Sequence, residues 1–398
     1  MSTIDTNRYN TLKPASTSYW LTLAVLLVLV ALGGYSAFNM EHAGHQISGM
    51  NNQIVWGLPH VFAITLIVAA SGALNGASMS SVFGLKRCKP FARLSVVLAM
   101  TLLVGGLIVL VLDLGRPDRL VVAMTHFNFK SIFSWNIILY NGFIAIGIVY
   151  LWVMMEPRLN RYTAKVGAFA FLWRFILTTG TGSIFGFLVG RNALDSALLA
   201  PLFIALALSI GTAAQVFIFS ATARWQNSDL PESMVFAQGR LLLWFVLAVL
   251  YFAVVHHVTN LYLAEHQVVE RYALAGPMSP VFWVGFVLIG TIAPIVLLFR
   301  GGSENKRCRN LIFASAVTIL GGMALIYTIV IGAQSTPQRL FPDKTVIASR
   351  FGDAGFELYQ PTAWELGLGI GGVAMAVLMC LILLRVLPFT PEPESVAS

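Results

Sequence analysis

The chain has 398 residues, of which 57% are hydrophobic and only 11% charged, with a mean hydropathy of +0.78. A soluble domain carries about 25% charge, so a water-soluble fold is excluded. The formal net charge of +8 reads as a signal of membrane topology, and no nucleic-acid partner is expected from it.

Ten apolar stretches follow one another, at 19–38, 56–79, 92–112, 132–155, 166–189, 197–221, 240–262, 280–299, 311–332 and 362–386. Each meets the roughly 20 residues that a helix needs to cross about 30 Å of hydrocarbon. The expected fold is an all-α, polytopic membrane bundle of about ten helices. It forms one domain over 1–398, with an N-terminal tail at 1–18 and a C-terminal tail at 387–398. The first stretch follows a polar tail and has no small-residue cleavage site directly behind it, so it reads as a retained helix. If the N-terminus is cytoplasmic, sixteen Lys and Arg fall on that side and eight on the other, with Arg174 inside a span. That bias places both termini on the cytoplasmic side.

In chain order, the first outward connection, 39–55, carries Glu41, His42 and His45. His60 follows Trp56 and Pro59 near the outer end of the second span. An imidazole at that depth suits hydrogen bonding to a quinone carbonyl, or relay of its proton, because its ordinary pKa lies near working pH. A helix-end histidine bonded to backbone or water is the plainer alternative. Small residues recur in the second, third and fifth spans, and Gly182-x-x-x-Gly186 reads as a packing seam rather than a nucleotide motif. The third span closes on Asp113-Leu114-Gly115-Arg116-Pro117-Asp118-Arg119, where aspartates and arginines are expected to neutralise one another around a turn. Asp113 is also a candidate proton conductor, and Arg116 a candidate for organising a polar headgroup at the outer mouth. Trp135 and Tyr140 follow in the fourth span, at the depth of interfacial anchors.

Arg174 lies toward the inner half of the fifth span, and snorkelling to the cytoplasmic interface accounts for it. Pro201 and Pro294 are candidate helix bends. His256 and His257 occupy the outer third of the seventh span, followed by Asn260, Glu265 and His266. Adjacent positions point about 100° apart on a helix, so one ring can face the interior while the other faces elsewhere. A single haem b held by His60 and one of this pair stays open, whereas a ladder of haems does not, because the inner half of the bundle lacks histidine. Glu365, near the start of the last span, reads either as a carboxylate on a proton path or as an interface residue. Cys88, Cys308 and Cys380 stand apart, so no iron–sulfur cluster, c-type haem or other metal site is expected in the chain. A transporter would place its charges at a midplane site on broken helices, whereas here the polarity gathers at one membrane face.

Asp113–Arg119, followed by Ser131-Ile132-Phe133-Ser134-Trp135, resembles the signature of the NrfD/PsrC family of quinone-interacting membrane subunits. Gly49-Met50-Asn51-Asn52-Gln53-Ile54-Val55-Trp56-Gly57-Leu58-Pro59-His60, continued by Ala69 to Asn75, is similar to its DsrP branch, from the DsrMKJOP sulfur-metabolism complex. Tyr359 to Glu365 and Arg385 to Pro388 are similar to a ten-span, hydrogenase-associated branch. The resemblance implies a subunit that is not catalytic alone, without bound metal or covalent cofactor, holding exchangeable menaquinone or ubiquinone near the periplasmic face of a bacterial inner membrane. It implies a periplasmic ferredoxin-like iron–sulfur partner, a multihaem cytochrome c and further Dsr-like membrane and cytoplasmic subunits. On the residues, His60, Asp113, His256 and Glu365 are the candidates for proton and redox work. His60, Tyr140, Arg116, Trp56 and His257 are the candidates for holding the quinone. A haem-free structural anchor for electron-transfer subunits is the rival reading.

Overall fold

Backbone polar groups find no water in hydrocarbon, so each apolar stretch closes its own hydrogen bonds as a helix. The computed structural model describes residues 9–13, 16–191, 193–337 and 355–391. Among these, ten helical spans are long and apolar enough to cross a membrane. The first is α1, Thr17–Ala43, capped by the Ser16 hydroxyl. The second is broken at Leu74 into α2, Leu58–Ala73, and α3, Asn75–Ser81. Then follow α4, Ala92–Leu112, a short exposed α5, Leu120–Thr125, α6, Ile132–Met155, and α7, Thr163–Gly186. The second half comprises α8, Leu199–Trp225, α9, Glu232–Tyr262, and the short α10, Gln267–Leu274. A π-helical stretch, Val281–Ile292, runs into α11, Ala293–Phe299. α12, Glu304–Tyr327, ends in a second π-helical stretch, Thr328–Gly332, and α13, Ala363–Val386, closes the bundle.

The helices overrun the expected apolar stretches at their polar ends. α9 begins at Glu232, and α1 continues to Ala43, so the first connection starts at Gly44. Pro294 sits where the π-helical stretch meets α11, a place where a missing N–H is accommodated by widened turns. Pro201 is in the first turn of α8, where it removes no helical hydrogen bond, so the expected bend has no cause there.

The centre of the bundle is α2, enclosed by α4, α8 and α13, with α12 against α8 and α6 paired with α7. Small residues make this possible. A Cβ on Gly72 would overlap the Ala207 carbonyl oxygen, and one on Gly211 would overlap the Gly72 backbone, so α2 and α8 touch backbone to backbone. The outward faces of α1, α6, α9 and the eighth span carry exposed Leu, Val, Phe and Trp, the surface expected to meet lipid. At one end of the bundle β1, Tyr9–Asn10, pairs antiparallel with β2, Thr390–Pro391, and the Leu12 N–H donates to the Leu384 carbonyl at 2.7 Å. The two terminal strands therefore meet on one face, and His60 lies on the other. Residues 1–8, 392–398 and the part of the last outward connection that includes Arg339, Pro342, Lys344 and Arg350 lie outside the described residues.

The break in the second span leaves backbone carbonyls that side chains take up. The Arg174 guanidinium donates to the Ser71 carbonyl at 3.3 Å and to Asn75 Oδ1 at 2.6 Å, and lies over the rings of Phe171 and Phe175. Gln215 donates to the Ala73 carbonyl at 2.6 Å, and Asn75 to Thr212 Oγ1 at 2.8 Å. Arg174 is 3% exposed and turned into the bundle, so it does not snorkel to the interface. Its position along the helix was legible, but the side it faces is set by the helix break opposite.

Candidate functional site

His60 occupies the first turn of α2, after Gly57 and with Pro59 beside it, where proline fits because early helical N–H groups have no intrahelical partner. Asp113 is the residue that closes α4. His60 Nδ1 stands 2.6 Å from Asp113 Oδ2, an oblique approach outside hydrogen-bond alignment, and the Asp113 carboxylate is fully buried. His45 comes from the preceding connection: its Nε2 donates to the Asp113 carbonyl at 3.2 Å and lies 3.7 Å from Oδ1. Gly115 makes room for this, with φ of 68° and His45 Cε1 only 3.2 Å from where a Cβ would stand. The expected neutralisation within Asp113–Arg119 is therefore only partly present. Arg116 pairs with Asp118 at 3.0 Å, exposed to solvent, while Asp113 turns inward to two histidines. Burial pushes the Asp113 carboxyl up, but the His45 and His60 contacts outweigh it and hold the carboxyl below its ordinary value. The nearby Asp113 carboxylate in turn raises His45 above its ordinary value, against its own desolvation.

The wall beside His60 is aromatic. Trp56 lies parallel to the His60 ring at 6.2 Å between centroids, with Phe133 at 6.3 Å and Phe185 edge-on at 5.7 Å. Phe133 is 45% exposed, so this wall reaches the surface of the bundle. One helical turn below Phe185 on α7, Thr181 Oγ1 meets the hydroxyl of buried Tyr140 at 3.2 Å. Trp135 is an anchor at the surface, its indole N–H donating to the Phe129 carbonyl.

The segment carrying Trp56 and His60 is braced from three sides. Glu365, wholly buried, accepts from the Gly49 N–H at 2.9 Å, from the Thr362 N–H at 2.8 Å, and from the Tyr359 hydroxyl at 2.5 Å. Tyr359 itself accepts from the Leu58 N–H at 2.6 Å. Burial, then the hydrogen bond to Glu365, pushes the Tyr359 hydroxyl well up. Gln334 Oε1 accepts from the N–H groups of Val55 and Trp56, and Arg191 donates to the Gln53 carbonyl at 2.8 Å. Glu365 thus sits in a capping box, as a clasp between α13 and the His60 segment. The hydrogen bonds it makes are with backbone N–H groups, the Thr362 hydroxyl and Tyr359 rather than with His60 or Asp113.

His256 and His257 belong to a second cluster on the same face. Asn260 Nδ2 donates to His256 Nε2 at 3.2 Å, and His256 Nδ1 faces Ser196 Oγ at 3.2 Å. His257 pairs with Glu270 of α10, which also accepts from Asn260 at 3.2 Å, and His266 donates to Asn260 Oδ1 at 3.1 Å. Both rings enter one network instead of facing apart, because α10 folds back over the end of α9. The polar contacts of His60 and of His256 share no residue. Sequence reasoning named neither His45 nor Glu270 as a site residue. Their partners, 68 and 13 positions away, are brought in by connections without a local signature. Among the described residues no group of three or more His, Cys, Asp or Glu is arranged to hold a metal ion.

Comparison with known proteins agrees with this architecture. A family model described as "Polysulphide reductase, NrfD" matches residues 46–338, the stretch from the His45 connection to the end of the ninth span. The chain is 25% identical, over 95% of both proteins, to the Hdr-like menaquinol oxidoreductase integral membrane subunit of Archaeoglobus fulgidus. It is 23% identical to a selenate reductase subunit of Mesobacillus selenatarsenatis, over 94% of this chain and 95% of that one. It is 21% identical to a polysulfide reductase chain of Wolinella succinogenes, over 71% of this chain and 96% of that one. With the family model spanning most of the ten-helix bundle and the His60–Asp113 site, this chain belongs to the NrfD polysulphide reductase family.

Proposed function

We propose that this chain is the quinone-interacting membrane subunit of a respiratory electron-transfer complex. It exchanges electrons with an iron–sulfur partner docked on the His60 face, in a sulfur-metabolism assembly of the DsrP type. The observation that carries the reading is the pairing of His60 with buried Asp113 beside the Trp56–Phe133–Phe185 wall. The relatives described as belonging to a menaquinol oxidoreductase and a polysulfide reductase support the quinone and sulfur parts of it. The DsrP branch is supported by the Gly49–His60 stretch, the segment that Glu365, Gln334 and Arg191 hold in place.

The residues fit a quinone headgroup. Asp113 takes the Nδ1 side of His60, so Nε2 is the nitrogen left to meet a ligand oxygen. The Asp113 oxygens and His60 Nδ1 are buried without an aligned hydrogen bond, unsatisfied buried polarity that suits a polar ligand at this pair. When bound, the quinone supplies a two-electron, two-proton couple. His60 holds or gives up a proton at Nε2, Asp113 orients the ring and balances its charge, and His45 links the carboxylate toward the surface. Trp56 and Phe185 exclude water from one side, and Tyr140 of α6 offers a hydroxyl deeper in the bundle, against Thr181 of α7. The His256–Glu270 network is a separate store of proton-binding groups on the same face.

The test is quinone content of the purified native complex, with a His60→Ala version alongside and both scanned for reduced haem absorption. Quinone present in the wild type and reduced about tenfold or more by the substitution, with any haem held by a partner subunit, is the expected result. An intact complex without quinone in either preparation would favour the anchor reading. Haem lost with His60 would make the chain a cytochrome.

A further inference from the structure

At the terminus face, far from His60, a cavity of about 370 Å³ lies between α9, α11 and α12. Its walls are aliphatic and aromatic, from Leu243 on α9 to Leu297 and Leu311 opposite, and its rim carries Phe236 and Phe299, both strongly exposed. Gly239 forms part of the floor, and a Cβ there would make only ordinary contacts, 3.7 Å to Leu298 and 3.9 Å to Leu311. The space is therefore not closed by backbone packing, in contrast to the Gly72–Gly211 contact.

Three arginines from three segments line this cavity: Arg240 of α9, Arg300 just beyond α11 and Arg307 of α12. Among the described residues no carboxylate lines it. Within the same set Arg307 meets Glu232 at 2.9 Å and lies over the Phe236 ring, whereas Arg240 and Arg300 meet no carboxylate. Buried Asn310 donates to the Arg300 carbonyl at 3.4 Å, which holds that turn at the rim. Snorkelling accounts for one arginine at a helix end. It does not account for a shared apolar groove beneath three of them.

We infer that this cavity is a binding site for an anionic phospholipid, with the phosphate held by Arg240 and Arg300 and an acyl chain lying in the groove over Gly239. Guanidinium forks match phosphate oxygens, and each basic group near a membrane surface adds attraction for an anionic headgroup. The lipid would fill the gap between the seventh and eighth spans, the two whose helices are among the least enclosed by protein.

The test uses the full chain purified in detergent and titrated by native mass spectrometry. The probes are dioleoyl phosphatidylglycerol and dioleoyl phosphatidylcholine, which carry the same acyl groups. One phosphatidylglycerol should bind about tenfold more tightly than phosphatidylcholine, and Arg240→Gln with Arg300→Gln should reduce that preference to about twofold or less. Gly239→Leu keeps every charge but fills the groove, and should weaken phosphatidylglycerol about fivefold. Glycerol 3-phosphate and inorganic phosphate should fail to displace the lipid. Equal binding of the two lipids by the wild type would overturn the site, and that comparison needs no variant to fold. So would a preference that survives loss of both arginines, an unchanged affinity in Gly239→Leu, or displacement by free phosphate.

Discussion

At the scale of single residues, the pairing of Asp113 with His45 makes the outer site sensitive to pH. Asp113 is held below its ordinary value of 3.8, so its contribution to folding is present above that value and lost as pH falls through the lowered one. His45 is raised above 6.5, so its contribution is complete below 6.5 and lost as pH climbs through the raised value. Both act together between those two limits. Replacing His45 by Gln should lower the thermal midpoint in detergent, with a gap from wild type about twice as large near pH 5.5 as near pH 8.5. A gap of the same size at both would mean that His45 is held by its backbone hydrogen bond alone. The sequence showed His60, Asp113 and Trp56 as candidates because polar and aromatic groups at the end of an apolar run have few bland uses. It could not show His45 as the partner, nor Glu365 as a clasp for Gly49, because those contacts join positions 68 and 316 apart.

At the scale of helices, the spans were legible because hydrocarbon thickness and backbone hydrogen bonding leave little choice of structure. What was not legible is how a helix turns about its own axis. Arg174 shows this: its depth fitted snorkelling, yet the break at Leu74 draws it inward to Ser71 and Asn75. Two effects oppose each other if Arg174 becomes Met. A buried guanidinium with an unpartnered Nε is removed, which is favourable, while the Ser71 carbonyl and Asn75 Oδ1 lose a donor, which is not. The loss should prevail, because Asn75 Oδ1 is left inside the bundle with no donor, and the Ser71 carbonyl keeps only a long bond from the Leu74 N–H at 3.4 Å. Destabilisation by about 1–2 kcal/mol is expected, read as a lower thermal midpoint, with quinone affinity within about twofold of wild type. If instead the midpoint held and quinone affinity collapsed, Arg174 would belong to the working path and not to the fold.

For the whole molecule, the chemistry depends on which side of the membrane the His60 face meets. The paired strands β1 and β2 lie on the opposite face, so a single fact about orientation fixes the side of every described loop. Among the described residues, the basic residues outside the bundle interior are biased about three to one toward the terminus face, and Lys and Arg near span ends are retained on the cytoplasmic side. The His60 face should then be periplasmic, with its partner docking there. The three native cysteines are first replaced by Ala, after which one cysteine is placed at Lys130 or at Lys306, exposed residues on opposite faces. A membrane-impermeant maleimide should label Lys130→Cys in intact spheroplasts and Lys306→Cys only after permeabilisation. The reverse pattern would move the proposed iron–sulfur partner and the proposed proton exchange at His60 to the cytoplasm. It would also reverse the sign of any proton gradient the complex contributes to, since protons taken up or released at His60 would then enter the other compartment.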